Sequence, residues 1–324
     1  MPHKQESNML NSLHGRAVQY DDRHLYVGGR RVGGPEIGRG DVYYVDDSVD
    51  GLDGRSMENA VGTLDEAFAL CTANQGDIIY VAPDHAETVT GVAGIAHDKA
   101  GVTVIGLGAG NQRPRILMDG AATVTYAITA DDAFIENIVF AGGHNDIVTC
   151  MTTTKKGTHV HGCEFIDNTT DENFLSCITA TGAANTSDGI SFRGNRALSL
   201  NAATVGAVML NEDVAGCTIR DNMLISEGTG LATIFTCTTG KDVKYLDCRN
   251  NFLSSKATAG NLGWSNDTAS PNNSGIIAHN RVRHADVTAG HILGVVGGCG
   301  VFDNLSTSTD AVSGFVLPAI DADS

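Results

Sequence analysis

The sequence predicts an all-β fold, a single right-handed parallel β-helix in which each turn of the coil, or rung, contributes short strands that stack on neighbouring rungs. Three observations predict it. Glycine is abundant, at 39 of 324 residues, and only 18% of residues are charged, which suits many short strands and turns. A short segment containing Asn recurs along the chain. A strand and a short amphipathic helix precede the first recurrence.

Residues 1–40 differ in charge from the rest of the chain. They hold six basic and four acidic residues, a net charge of +2, so the remainder of a chain of net charge −17 carries −19. The sequence LYVGGRRV at 25–32 predicts a hairpin that turns at Gly28-Gly29. We interpret 1–40 either as an attachment arm or as a disordered leader. In an arm, the candidate contacts are its arginines, Arg16, Arg23, Arg30, Arg31 and Arg39.

Residues 41–76 are predicted to form a strand and a capping helix. DVYYVDD at 41–47 is rich in Val and Tyr, as strands are. Thr63 and Glu66 have the spacing of a capping box, and Leu64, Ala67, Phe68 and Cys71 then make one apolar stripe of a helix that we expect to end near 74–76. The β-helix body is predicted to span 77–324.

Within the body, an apolar residue, two variable positions, usually Asn, and further apolar residues recur at intervals of 24 to 33 residues. Such a period indicates a repeat architecture. We expect the Asn to form the turn between two strands of a rung, in the left-handed backbone conformation, and stacked Asn side chains to form ladders. The aligned positions are Asn137, Gly162, Asn195, Asn222, Asn251, Asn280 and Asn304. A sandwich with coincidental Asn turns is the alternative.

The Asp-rich and His-rich segments provide candidate sites. Asp46 and Asp50 begin a calcium-like loop, but Met57 stands where the closing Glu belongs, so a packed turn is the other interpretation. His159 and His161 share one face of a predicted strand without an evident third ligand. We therefore expect no metal and no cofactor. Trp264, in the predicted loop 260–267, is a candidate surface contact or simply a packed Trp.

Glycoside hydrolysis needs a pair of carboxylates about 5–9.5 Å apart. Two clusters offer candidates, both at predicted turns, where Asp is also common for backbone reasons. They are Asp131 and Asp132 with Glu136, and Asp167 with Asp171 and Glu172. Basic residues are scarce in the recurring segments, and no combination suitable for a lyase stands out.

The acidic charge argues against nucleic acid and anionic membranes as partners. The segment MPHKQESNML has no apolar core, so no signal peptide is expected, and no apolar run has the length of a membrane span. Eight scattered cysteines fit neither a metal knuckle nor a disulfide scaffold, and we interpret them as buried thiols in a protein made in a reducing cytoplasm.

The strand YYVD at 43–46, the segment GTL at 62–64 with Ala67, and GDIIYVAP at 76–83 together resemble the start of proteins of the pectate-lyase-like right-handed β-helix superfamily. The resemblance covers about 41–310. It implies that the short helix caps the coil and that GDIIYV begins its first rung. Asp84-His85-Ala86-Glu87 departs from the Gly and Tyr that often follow this strand in the family.

An acidic β-helix with a distinct N-terminal arm resembles a component of a bacteriophage particle. The resemblance implies a non-enzymatic structural protein of the virion, a trimeric capsid decoration or head fibre attached through its arm. Its partners would be its own copies, the major capsid protein or another virion protein, and a host surface glycan. A tailspike-like polysaccharide hydrolase or lyase is the alternative, and a secreted pectate-lyase-type enzyme is the third.

Overall fold

The chain coils into a parallel β-solenoid, as a computed structural model shows. The structure describes residues 18–20, 25–27, 30–33, 40–49, 51, 53–200, 205–228, 230, 232–238, 240–256, 260–265, 273–284, 298–308 and 314–315. Strands of successive rungs stack into three long sheets, and this parallel pairing satisfies their backbone groups. The predicted all-β parallel β-helix is confirmed.

The first sheet follows a left-handed corner of the backbone in several rungs, at Gly101, Asp132, Gly157, Gly189 and Gly216. Its ten strands are Val42–Val45, Ile78–Val81, Thr103–Gly106, Phe134–Glu136, His159–His161, Ser191–Arg193, Thr218–Arg220, Leu246–Arg249, Ser274–Ala278 and Gly298–Phe302.

The second sheet begins two or more residues after the first in each rung. Its strands are Ala86–Val89, Arg115–Met118, Val139–Gly142, Glu164–Asp167, Arg196–Ser199, Met223–Ser226, Phe252–Ser255, Arg281–His284 and Leu305–Ser308, with Gly314–Phe315 antiparallel to the last.

The third sheet closes each rung. Its strands are Ile95–His97, Tyr126–Ile128, Met151–Thr153, Ser176–Ala180, Val205–Leu210, Ala232–Cys237 and Gly260–Ser265. Val214–Ala215 and Val243–Lys244 form a separate two-stranded ladder, and 3₁₀ turns occur at Met57–Asn59 and Gly110–Gln112.

Inward side chains of the three sheets form one continuous core. Phe140 and Phe165 stack with ring centroids 5.5 Å apart, and Phe192 lies 5.7 Å from Phe165. Seven of the eight cysteines are buried and unbridged, which confirms their interpretation as apolar fillers, while Cys299 is half-buried. The core therefore gains its apolar area rung by rung, as in other repeat proteins.

The capping helix spans Leu64–Leu70 and packs against the strands Val42–Val45 and Ile95–His97. The predicted capping box is present, since Thr63 accepts from the Glu66 N–H and the Glu66 carboxylate accepts from the Thr63 N–H. The helix ends earlier than predicted, because Cys71 is extended and the Thr72 N–H donates to Asp77 Oδ2 at 2.6 Å.

Five buried asparagines stack at the corner between the first and second sheets and form an asparagine ladder. Asn222 shows the pattern: Nδ2 donates to Phe192 O at 2.8 Å and to Asn251 Oδ1 at 2.9 Å, and Oδ1 accepts from Asn195 N at 2.9 Å. The ladder comprises Asn195, Asn222, Asn251, Asn280 and Asn304. The predicted ladder is confirmed.

The predicted left-handed conformation is present at Asn137 and Gly162, with φ 61° and 60°. The prediction is wrong at the ladder asparagines, where the left-handed residue is the one before each asparagine, as at Asp221 with φ 59°. Strand register also aligns Asn137 and Gly162 with Gly194 and Asp221, so Ile138 and Cys163 occupy the ladder position in those rungs. The five ladder corners combine a residue that tolerates positive φ with a buried amide at the next position, and the sequence pattern merged the two positions.

The segment before the coil forms an antiparallel sheet of its own. Leu25–Val27 pairs with Arg30–Gly33 so that Val27 faces Arg30, which confirms the predicted hairpin with two residues between its strands. A third strand, Val18–Tyr20, pairs with Leu25–Val27 and was not predicted.

Candidate functional site

The first carboxylate cluster lies around one strand of the first sheet. Asp131 and Asp132 are exposed at the corner before Phe134–Glu136, and Glu136 ends that strand on its outward side. Asp131 Oδ1 accepts from the Lys156 N–H at 3.0 Å, and Asp132 has φ 57° and donates its N–H to Lys156 O at 2.8 Å. Four residues of extended chain separate the Cα atoms of Asp132 and Glu136 by about 13 Å.

The side chains of the second cluster form hydrogen bonds that fix the loop after the strand Glu164–Asp167. Asp167 is buried, its Oδ1 accepts from Phe174 N at 3.1 Å, and its Oδ2 accepts from Leu200 N at 2.7 Å and from the Ser199 hydroxyl at 3.0 Å. Its lone pairs are thus used to hold the loop to the next rung.

The two other acids of that cluster lie nearer the surface. Asp171 is exposed, and Glu172 Oε2 accepts from Asn168 Nδ2 at 2.6 Å across the same loop. The N–H groups of both residues donate to the Thr169 hydroxyl, so the loop is closed by its own polar groups.

His159 and His161 lie on the outward face of one strand, with ring centroids 5.7 Å apart and Phe134 packed against both. His161 Nε2 lies 2.9 Å from the Ser191 hydroxyl. Burial lowers the pKa of His161 to about 4, with His159 and Arg193 adding to the effect. His161 is therefore neutral near pH 7. No group of three or more His, Cys, Asp or Glu side chains arranged for a metal ion occurs in the described part of the chain.

The segment that resembles a calcium loop begins with a tight turn, in which Asp46 is hydrogen-bonded to Ser48. Asp46 Oδ1 accepts from both the N–H of Ser48, at 2.9 Å, and its hydroxyl, at 2.6 Å. Asp50 lies outside the described residues. Of the arm arginines, Arg30 and Arg31 lie in a strand, whereas Arg16, Arg23 and Arg39 lie outside the described residues.

Trp264 belongs to the strand Gly260–Ser265, where it pairs with Thr236, and not to a loop as predicted. Gly260 and Gly263, which precede Trp264, are common in loops, but parallel pairing with the third sheet extends this segment.

A column of arginines on the first sheet was missed by the sequence analysis. Arg193 pairs in register with Arg220, and Arg220 with Arg249, so the three arginines lie one above the other at the end of the first-sheet strands. Asp247 forms ion pairs with Arg220 and Arg249, the latter at 2.6 Å, whereas no ion pair joins Arg193 to a described residue. Burial lowers the pKa of Arg220, and the charges of Arg249 and Arg193 lower it further.

The signal for this column was present in the recurring segments RGNR at 193–196, RDNM at 220–223 and RNNF at 249–252. Arg has the same place in each of them. Counting basic residues concealed this register.

Among the described residues, no helix is long and apolar enough to cross a membrane. Comparisons with protein-family models, with curated proteins and with solved structures gave no match. The resemblance to the pectate-lyase-like superfamily therefore stays a prediction from the sequence motifs.

Proposed function

We propose that this chain is a non-enzymatic structural protein of a bacteriophage virion, a homotrimeric capsid decoration or head-fibre protein of the pectate-lyase-like class. It is made in the host cytoplasm, needs no cofactor, and attaches to the major capsid protein or to another virion protein through its N-terminal arm.

The proposal rests on the hydrogen bonds by which the candidate carboxylates hold turns and neighbouring rungs together. Asp167 accepts three hydrogen bonds from the loop and the rung that it joins, and Asp131 accepts from the next rung. A catalytic acid must be free to reach a substrate oxygen and to exchange a proton. Carboxylates that hold turns together fit a rigid scaffold better than a hydrolase.

The arm supports the attachment part of the proposal. Its three strands form a separate antiparallel sheet, so this segment has a topology unlike that of the parallel coil. Its net charge of +2 also contrasts with the −19 of the remaining chain. A positively charged module beside an acidic body suits docking to an acidic surface on the particle.

Deletion of residues 1–40 tests the proposal. We expect the truncated chain to keep the β-rich circular dichroism spectrum of the full chain. We also expect it to lose binding to phage particles that were made without this protein. Truncated chain that binds such particles as tightly as the full chain would refute attachment through the arm.

A tailspike-like enzyme is the second candidate, because Phe134, His159 and the arginine column share the outward face of the first sheet, and aromatic rings and arginines suit an acidic glycan. Depolymerisation of host surface polysaccharide by the full chain, abolished by Asp132→Asn or Asp167→Asn, would establish this candidate in place of the structural role. Asp98→Asn, an exposed acid outside both clusters, serves as the control.

A further inference from the structure

The arginine column of the first sheet brings three positive charges close together. Arg193, Arg220 and Arg249 are in register on successive rungs, and the residue before each of them is buried. The arginine side chains therefore leave the core on the outward side of the sheet. Neighbours in register lie about 4.8 Å apart, so the like charges repel one another. Besides burial, which has the largest effect, the charges of Arg249 and Arg193 lower the pKa of Arg220. The column is a place where an anion is stabilised.

Asp247 shows how a carboxylate binds to this column. Its Oδ1 accepts from Arg249 Nε at 2.6 Å, and its Oδ2 accepts from Arg249 Nη2 at 3.0 Å. The Oδ2 atom also forms an ion pair with Arg220 Nη2. Both oxygens of the carboxylate are thus taken by the fork of one arginine, with a single contact left for the next rung.

The other two arginines keep donors that no acid of the described chain satisfies. Arg193 is exposed and forms no ion pair with a described residue. Arg220 Nε is buried and has no hydrogen-bond partner among the described residues. Asp221 follows Arg220, but its Oδ1 accepts from Asn250 Nδ2 at 3.2 Å. The three guanidinium groups outnumber the carboxylates of Asp247 and Asp221, which leaves one positive charge in excess.

The rung that precedes Arg193 carries no charge next to it. His161 is the residue in register there, and burial lowers its pKa to about 4, so it is neutral near pH 7. Glu136 is the next acid in the row, two rungs and therefore about 10 Å from Arg193. The excess positive charge is thus concentrated at Arg193 and Arg220.

A hydroxyl group lies beside these two arginines. Thr218 is half-buried and comes two residues before Arg220, so both side chains are on the outward side of the same strand. Its neighbours in register are Ser191, whose hydroxyl lies 2.9 Å from His161 Nε2, and Asp247. The Thr218 hydroxyl therefore adds a neutral hydrogen-bond donor next to the guanidinium groups.

We propose that Arg193 and Arg220, with the Thr218 hydroxyl, form a binding site for a phosphate group. A phosphate monoester has three acceptor oxygens in a tetrahedral arrangement, so one pair can engage the fork of Arg193 while the third reaches the donors of the next rung. A carboxylate has only two oxygens, and a single fork uses both, as at Asp247. This site goes beyond the proposed function and does not depend on it.

Isothermal titration calorimetry of the purified full chain tests the site without phage particles. The probes are inorganic phosphate, glycerol phosphate and acetate at equal ionic strength. We expect saturable binding of one phosphate group per chain, and acetate binding at least about 10-fold more weakly, since it lacks the third oxygen. Tighter binding of glycerol phosphate than of inorganic phosphate would identify an ester on a larger molecule as the source, and the reverse order would identify free phosphate. Acetate binding as tight as that of both phosphates, or no saturable binding of either phosphate, would overturn the proposal.

Variants of Arg193 assign the binding to the column. Arg193→Gln should weaken phosphate binding at least about 10-fold, because hydrogen bonds to a charged partner are lost. Arg193→Lys keeps the charge but not the fork, so its affinity should fall between those of Arg193→Gln and the wild type. Arg281→Gln removes an exposed arginine from the second sheet and should leave the affinity unchanged. Wild-type affinity in Arg193→Gln, or an equal loss in Arg281→Gln, would show that phosphate does not bind at this site.

Discussion

The asparagine ladder allows a stability prediction to be worked from individual hydrogen bonds. Asn222→Leu keeps the number and branching of the side-chain heavy atoms but removes the amide. The N–H of Asn195 then loses its partner, the carbonyl of Phe192 keeps only its partner in the strand ladder, and Asn251 Oδ1 loses one of its two donors. A buried polar group without a partner costs about 1–3 kcal/mol, so the loss should lower the free energy of unfolding by at least about 1–3 kcal/mol.

The measurement is urea-induced unfolding followed by far-ultraviolet circular dichroism. Asp221→Gly is the matched control, because Asp221 is exposed one residue away and its φ of 59° is accessible to glycine at no cost. We expect this control to unfold within about 0.5 kcal/mol of the wild type. An Asn222→Leu variant that also unfolds within that margin would show that the ladder does not stabilise the coil.

Three further predictions concern the core and the secondary structure. Burial lowers the pKa of His97 to about 4, against about 6.5 in the unfolded chain. The buried neutral His97 therefore contributes fully to the free energy of unfolding above pH 6.5, and this contribution is lost as the pH falls towards 4. The loss amounts to roughly 3 kcal/mol, and a His97→Phe variant with the same acid sensitivity as the wild type would contradict it. Burial raises the pKa of Cys163 to about 12. We expect a thiol reagent to label the half-buried Cys299 before the seven buried cysteines. Rapid labelling of several buried cysteines in the folded protein would count against their burial. Far-ultraviolet circular dichroism should show mainly β-structure, because the described helix has only seven residues, and a helix content above about a third would rule out the solenoid.

The sequence was most informative where a residue has a function that its neighbours cannot supply. Thr63 and Glu66 revealed the helix start, since few other pairs satisfy the first backbone N–H groups. The recurring asparagines revealed the corners, because a buried amide can both donate and accept between rungs.

The third sheet was the least visible from the sequence. All five residues of its strand Ser176–Ala180 are buried, so the segment lacks the alternation of polar and apolar residues by which a strand is recognised. The loops before this sheet also vary in length, which hides the period.

The candidate site could be predicted only in part, because its surface depends on register between distant residues. Asp131 and Asp132 are close in sequence, yet they serve a corner. The arginine column combines Arg193, Arg220 and Arg249, which are 27 and 29 positions apart, and only the strand pairing brings them together.

An electron cryomicroscopy map of the intact particle that carries this chain is the most direct test of the proposed decoration role. We expect elongated density on the head surface, in clusters of three coils, each joined to the capsid through its N-terminal segment. A map in which the chain is absent from the particle, or is found only at the tail, would contradict the claim that it is a structural decoration of the capsid.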